Sequence, residues 1–232
     1  MLHDSVIERC GTDIVTGVLP AGYRIGTDEA AARLGVSRTV VREAVRVLES
    51  MGLVTVRQRV GITVAPEDQW SPFDARILRW RLAGSDAHRH LQDLAELRME
   101  TEPLAARLAA RHATAQHGAA LTAAVAAMAT AARSADWPAL AAWDAEFHRI
   151  VLTASGNRLI MGLGPIVADA AVARVTPDPT IDRCSDPAMI SVHGTVAAAI
   201  QAGEPDAAER AMRTIIDVGR VTAVAADRRT AA

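Results

Sequence analysis

The stretch that decides the fold runs Gly35-Val36-Ser37-Arg38-Thr39-Val40-Val41-Arg42-Glu43-Ala44-Val45-Arg46-Val47-Leu48-Glu49. Gly35 suits the positive φ of a tight inter-helix turn, and Ser37 suits a helix N-cap. The apolar side chains recur at helical spacing and share one face: Val41, Ala44, Val45 and Leu48. The arginines recur every fourth residue on another face: Arg38, Arg42 and Arg46. This pattern predicts a recognition helix that enters the major groove of DNA.

The flanking segments complete a DNA-binding domain. Thr27–Leu34 predicts a short helix capped by Thr27, with acidic residues in its first turn. The β-branched runs 53–56 and 62–64 surround a basic tip and predict a two-stranded hairpin, the wing. An earlier helix is expected to end near Gly17. Residues 1–65 are therefore predicted to form a winged helix-turn-helix.

This region resembles the gluconate-repressor (GntR) family. The resemblance rests on Gly17–Gly22, on Gly35–Ala44 and on Gly52–Val54. The family usually carries an arginine where this chain has Asp28, so that arginine's contact with DNA is not expected here. The residues predicted to face DNA are Ser37, Arg38, Thr39, Arg42, Arg46, Arg57, Arg59 and Gly61.

Charge distribution is compatible with DNA binding although the formal net charge is −2. Residues 33–59 carry six arginines and only two acidic side chains, so the basic charge concentrates in the predicted DNA-binding segment. An ordinary solvated helix face would also place arginines outward. The agreement of turn, cap, spacing and wing favours contact with DNA.

Composition favours a cytoplasmic protein without a membrane span. The two cysteines, Cys10 and Cys184, are isolated and have no metal-binding spacing. The N-terminus is polar and charged, unlike a signal peptide. The longest uncharged stretch, 113–132, is alanine-rich and interrupted by polar residues, which predicts a packed helix.

The rest of the chain predicts an all-α domain, which makes the fold mainly α. A short polar, proline-bearing linker is expected at residues 66–72, followed by an effector-binding and dimerisation domain at 73–232. Predicted helices cover 73–83, 86–113, 115–133, 137–154, 157–175, 186–202 and 205–226.

Three side chains in this domain suggest a metal site. Asp144 and His148 are spaced i, i+4 beside an apolar stripe, and His193 lies on the apolar stripe of a later helix. A carboxylate and two imidazoles inside a helical bundle suit a divalent metal such as zinc, nickel or manganese. Spacing alone leaves open an ion pair or a hydrogen-bonded core histidine.

These residues resemble the ligand-binding domain of the FadR subfamily, the FCD domain. The similar positions are Asp144, Phe147-His148, the turn at 154–157, and His193 ahead of Ala199-Ile200. In metal-binding members the ligands are an Asp and three His, and Ile215 stands where the third His is usual. The missing ligand leaves two alternatives: water or the effector completes the metal shell, or the site holds no metal.

The same resemblance implies an effector site. Arg98 matches an arginine that faces the ligand pocket of the family, and a guanidinium suits a carboxylate effector. A helical salt bridge to Glu102 is the alternative. Asn157, in the turn shared with the family, is a second expected effector contact. The segment Pro72–Trp80 resembles sugar-acid regulators such as the galactonate-operon repressor, which suggests a sugar acid.

The predicted function is transcription regulation, with repression expected. A homodimer would bind double-stranded DNA at a palindromic operator, and a small carboxylate bound near a metal would modulate that binding. A metal-dependent enzyme using Asp144, His148 and His193 is the alternative. That function leaves the winged domain unexplained and lacks a general base, since Glu146 lies across its helix from His148. An architectural DNA protein would not need a sensor-sized second domain.

Overall fold

A computed structural model describes residues 2–57, 60–167 and 187–230, and the chain divides into two compact units, Met1–Ala87 and His88–Ala232. Both units are predominantly helical, and the first carries the small sheet, which confirms the predicted fold class. Arg59 and the end of the predicted helix 157–175 lie outside the described residues.

The first unit is a helix-turn-helix with a small sheet. Its elements are α1 (Leu2–Val15), β1 (Arg24–Ile25), α2 (Thr27–Leu34), α3 (Arg38–Ser50), β2 (Val54–Arg57), β3 (Gly61–Val64), a 3-10 turn (Glu67–Gln69) and α4 (Ala75–Leu82). Val41, Ala44 and Leu48 of α3 are buried in its core, so the predicted apolar stripe is confirmed.

The turn before α3 has the local chemistry that the sequence predicted. Gly35 has a φ of 67°, in the left-handed region, and ends α2. The Ser37 hydroxyl accepts a hydrogen bond from the Val40 amide at 3.3 Å and caps α3. The predicted Thr27 cap is wrong: Gly26 occupies the N-cap of α2 and supplies no side-chain hydrogen bond, while Thr27 is the first helical residue.

The wing belongs to a three-stranded antiparallel sheet of order β1-β3-β2. Val54 pairs with Val64 and Arg57 pairs with Gly61, which is the predicted hairpin. The strand β1 was not predicted, because two residues are too short to show an alternating pattern. Its residue Ile25 pairs with Ile62 and ties the wing to the turn before α2.

The helix α4 differs from its predicted placement. The sequence assigned it to the second domain beyond a linker at 66–72, whereas it packs within the first unit. Trp80 is buried in the core there, and its indole N–H donates to the Glu8 carboxylate at 2.7 Å. The linker is also fixed, since the Ser71 amide donates to the Met51 carbonyl at 2.9 Å. These partners are far away in sequence, which is why local composition did not reveal them.

The second unit is a helical bundle. Its helices are α5 (Ala87–His112), α6 (Ala115–Arg133), α7 (Trp137–Ala154), α8 (Arg158–Met161), α9 (Pro187–Gln201) and α10 (Pro205–Thr230). Small side chains such as Ala105, Ala109 and Ala124 are completely buried and let the helices approach closely. No helix among the described residues is long and apolar enough to cross a membrane.

The predicted helix 157–175 is interrupted. After α8 the chain turns at Gly162 and Leu163, and it is helical again at residues 164–167. The glycine explains the break because it contributes little to helix stability.

We predict that Gly11→Ala destabilises the first unit. A Cβ at Gly11 would lie 2.2 Å from a ring carbon of Trp80, so the indole or α1 must shift. Overpacking of this kind costs about 1–3 kcal/mol, which should lower the free energy of unfolding measured by urea denaturation with tryptophan fluorescence.

A matched control is Gly194→Ala, also inside a helix. Its Cβ would meet only a Val125 methyl at 3.9 Å, so the substitution should be neutral or stabilising by up to about 1 kcal/mol. Equal effects of the two substitutions would contradict the proposed Gly11–Trp80 contact.

Candidate metal centre and nucleic-acid interface

Asp144, His148 and His193 lie together inside the second unit. Their candidate ligand atoms are all within 4.8 Å of one another. His193 Nε2 lies 3.0 Å from Asp144 Oδ1, and His148 Nε2 lies 3.7 Å from the same oxygen. All three side chains are buried. The helices α7 and α9 therefore bring together the residues that the sequence selected.

The ring of Phe147 orients both imidazoles. It is completely buried and meets the His193 ring edge-on, with centroids 4.9 Å apart. A similar edge-on contact to His148 has a centroid distance of 5.7 Å. Tightly packed aromatic neighbours limit rotation of the two histidines and exclude water from their ring faces.

The orientation of the His193 ring is fixed through its outer nitrogen. Nδ1 lies 2.8 Å from the carbonyl oxygen of Met189, one turn earlier on α9. A carbonyl oxygen can only accept, so Nδ1 carries the proton. The Nε2 atom is then directed at Asp144 and at the space between the three side chains.

The outer nitrogen of His148 meets a carboxylate that sequence reasoning did not select as a site residue. Nδ1 contacts Glu102 Oε2, and Glu102 is completely buried on α5. On the other side of the ring, Arg98 Nη2 lies 3.2 Å from Nε2 and donates to it, because a guanidinium has no acceptor. His148 accordingly places its proton on Nδ1 and its lone pair on Nε2.

The charges of this cluster support one another. Burial alone would raise the pKa of Glu102, but Arg98 and His148 outweigh it and hold that pKa at about 2. Burial likewise opposes a charge on His148, yet the carboxylates of Glu102 and Asp144 raise its pKa above the ordinary value. Glu102 is therefore an ionised acceptor that lies between Arg98 and His148.

Arg98 makes two contacts, one with Glu102 and one with His148, while its contact with an effector stays a prediction. Its Nε contacts Glu102 Oε1, the helical salt bridge that the sequence offered as the alternative. The same side chain is buried and reaches His148, so it also lies in the predicted site. The i, i+4 spacing of Arg98 and Glu102 could have identified Glu102, but that spacing is common on exposed helix faces.

The residues present fit a divalent metal. Two imidazole Nε2 atoms and a carboxylate converge, and the Nδ1 atom of each ring faces an acceptor, a carboxylate or a carbonyl. Such outer partners are typical of metal-binding histidines. Ile215 is buried among apolar residues and offers no fourth donor. Three protein donors leave coordination positions open for water or a ligand.

Asn157 is placed differently from its predicted effector role. The residue is exposed, and its side-chain oxygen accepts from the Leu159 amide at 3.0 Å and the Ile160 amide at 3.3 Å. These bonds cap α8. The carboxamide oxygen is thus engaged by its own helix, and no contact of Asn157 with the metal cluster is observed among the described residues.

The outer face of α3 presents the predicted basic residues. Arg38, Thr39, Arg42 and Arg46 are exposed. Arg38 Nε lies 2.7 Å from Asp28 Oδ1, and Arg46 Nη1 lies 2.8 Å from Glu43 Oε1. Within the described part of the chain, Arg42 forms no ion pair. Asp28, the departure from the family pattern, therefore holds the side chain of Arg38.

The wing places Arg57 at an exposed position at the end of β2. Gly61 opens β3 with a φ of 90°, and a Cβ there would lie 2.8 Å from the Ile25 carbonyl oxygen. Its role in this structure is thus to allow a tight turn beside β1.

Two family patterns match the chain. The FCD domain matches residues 93–218, and the pattern described as "Bacterial regulatory proteins, gntR family" matches residues 2–64. Both matches confirm the resemblances found in the sequence.

Similar proteins are regulators. The Galactonate operon transcriptional repressor of Escherichia coli (strain K12) is 29% identical over 216 residues, which cover 92% of this chain and 93% of that protein. The Probable D-xylose utilization operon transcriptional repressor of Paenarthrobacter nicotinovorans is 30% identical, covering 86% of this chain and 79% of that protein. A solved structure, Streptococcus agalactiae GntR, is 28% identical with a TM-score of 0.53, covering 94% and 99% of the two chains.

The winged helix-turn-helix, the buried Asp-His-His cluster and the matched patterns agree with one another and with a regulator rather than an enzyme. The chain belongs to the GntR family of DNA-binding transcription regulators and carries an FCD domain.

Proposed function

We propose that the protein is a transcriptional repressor whose binding to a palindromic operator is modulated by a small carboxylate, a sugar acid, held near a divalent metal in the helical domain. The observation that carries this proposal is the buried Asp144, His148 and His193 cluster with Arg98 at its edge. Relatives named as repressors of galactonate and D-xylose operons support both repression and a sugar-derived effector.

The DNA-binding half of the proposal rests on α3. Ser37, Arg38, Thr39, Arg42 and Arg46 lie along its start and outer face, and Arg57 extends the basic surface to the wing. Among the described residues, Arg38 and Arg46 each form an ion pair and Arg42 forms none. Arg42 can therefore contact a base without first breaking an ion pair. Bidentate contact with guanine is the commonest specific use of such a side chain.

We predict that Arg42→Ala weakens sequence-specific binding. Loss of one good base contact costs about 1–3 kcal/mol, so affinity for an operator selected from random duplex DNA should fall about 5- to 150-fold in gel retardation. Arg79→Ala is the matched control, since Arg79 is exposed in the same unit but lies on α4. Unchanged retardation by the Arg42 variant would show that α3 does not read bases through this residue.

The sensor half of the proposal assigns roles to buried residues. Asp144 and the Nε2 atoms of His148 and His193 would hold zinc, nickel or manganese, which would act as a Lewis acid toward an effector carboxylate. Arg98 would supply a guanidinium at the same place, a group that binds carboxylates in bidentate geometry. Effector modulation then requires that the helices α5, α7 and α9 differ between the states with high and low operator affinity.

We predict that His148→Ala uncouples operator binding from the effector. Metal affinity is measured by titrating zinc, nickel or manganese into chelator-treated protein. Because His148 is a direct ligand in the proposed site, its loss should lower this affinity by more than the roughly 10- to 100-fold expected for a residue that only hydrogen-bonds to a ligand. Galactonate and related sugar acids should lower operator affinity of the wild type about 5- to 150-fold, whereas the variant should bind the operator and not respond.

The control for this experiment is His112→Ala, because His112 is an exposed histidine at the end of α5. This variant should keep both metal affinity and the effector response. A His148 variant that still releases the operator at the wild-type effector concentration would contradict the metal-centred proposal.

Dimerisation is the remaining part of the proposal. One winged domain covers a single half-site, and two-fold symmetry matches a palindrome. The helical unit exposes large apolar side chains that a subunit interface would cover, namely Leu104, Trp143, Leu159 and Met161.

We predict a dimer by light scattering at micromolar concentration, and a Leu159→Glu, Met161→Glu double variant tests whether α8 belongs to the interface. A monomeric wild type would contradict dimerisation.

A further inference from the structure

Arg98 and a metal ion need the same lone pair of His148. The Nδ1 atom faces Glu102, and the Arg98 guanidinium, which can only donate, faces Nε2, so Nε2 is the nitrogen of this ring that accepts a hydrogen bond or would bind a metal. Arg98 Nη2 lies 3.2 Å from that atom. One lone pair serves one partner at a time, and the two uses therefore exclude each other.

Glu102 can hold both Arg98 and His148 while Arg98 and a metal ion exchange at His148 Nε2. Its two oxygens contact different groups, Oε1 facing Arg98 Nε and Oε2 facing His148 Nδ1. If Arg98 Nη2 leaves His148, the guanidinium remains paired through Nε, and the imidazole remains fixed through Nδ1. Neither buried charge is left alone in the exchange, which avoids the several kcal/mol that an unpaired buried charge costs.

We propose that Arg98 is the internal cation of the metal-free centre, occupying His148 Nε2 until a divalent metal replaces it, with Glu102 as the positioning residue that holds both side chains during the exchange. This inference rests on the proposed metal site. In the metal-bound state Arg98 Nη2 no longer donates to His148 and donates instead to the carboxylate of an effector. Metal binding would thus precede and promote carboxylate binding.

The first test compares crystal structures of the full chain after chelator treatment and after zinc addition. The metal-free structure should show Nη2 within hydrogen-bond distance of Nε2. The zinc-bound structure should show zinc on His148 Nε2, Nη2 displaced, and Arg98 Nε still on Glu102. Zinc bound by Asp144 and His193 while Nη2 stays on His148 would overturn the exchange but keep the metal site.

The second test measures zinc affinity of variants by calorimetry. Arg98→Met removes the competitor and should bind zinc roughly tenfold more tightly, the scale of one charge-assisted hydrogen bond. Glu102→Gln should bind roughly 10- to 100-fold more weakly, as for other outer-shell partners. Both substitutions break the ion pair between Arg98 and Glu102. If that pair only stabilised the fold, both variants would change the zinc affinity in the same direction.

Two further variants separate competition from simple charge. Arg149→Met removes an exposed positive charge next to His148 in sequence and should leave zinc affinity unchanged, because Arg149 pairs with Glu146. Arg98→Lys keeps the charge beside Glu102 but cannot also span to His148, so it too should bind zinc more tightly than wild type. Wild-type affinity in Arg98→Lys with a gain only in Arg98→Met would overturn the exchange.

The zinc titration of the wild type separates failure of the two proposals. If neither wild type nor Arg98→Met binds zinc, the metal is removed from the proposed function, and this inference is overturned with it. Because the crystallographic comparison uses wild-type protein, a variant that fails to fold does not affect that test.

Discussion

The ion pair between Arg98 and Glu102 is the interaction on which the second unit depends. Both side chains are almost completely buried, and two charges removed from water are tolerated only when each is paired. Glu102 satisfies this condition twice, because it contacts the imidazole of His148 as well as the guanidinium. The helix α5 is thereby linked to α7 by polar contacts, and Asp144 extends the chain of contacts to His193 on α9. The geometry of the three candidate ligands is therefore set by contacts within the protein.

In the DNA-binding unit, arginine side chains are likewise organised by nearby acids, but at the surface. Asp28 holds Arg38, and Glu43 holds Arg46, with all four side chains exposed. Exposed ion pairs contribute little to stability, about 0–1 kcal/mol, so DNA phosphates can compete for these guanidiniums at small cost. Their main effect is to limit the side-chain conformations available before binding. The two units thus place arginine in different surroundings, exposed and weakly paired in the first unit and buried between two partners in the second.

Sequence reasoning succeeded where the determining contacts are local. The apolar stripe of α3, its Ser37 cap and the Gly35 turn are set by residues within a few positions of one another, and the structure confirms them. The i, i+4 spacing of Asp144 and His148 was also local, although their approach to His193 needed the packing of α7 against α9. Distant contacts were missed. Trp80 lies against Gly11 and so places α4 in the first unit, and Glu102 enters the site through His148, 46 residues away by their numbers.

A metal site with three protein donors, of the kind proposed for Asp144, His148 and His193, would suit a responsive centre better than a structural one. Structural metal sites are usually closed by four protein ligands, whereas sites that exchange ligands keep a position open. Ile215 is packed in the apolar core, so this position cannot be closed by a small rotation of α10. A carboxylate effector could then supply the missing oxygen, and Arg98 lies at the cluster to bind the other oxygen. An open position shared in this way would make the affinity for metal and the affinity for effector depend on each other, which is the thermodynamic condition for a sensor.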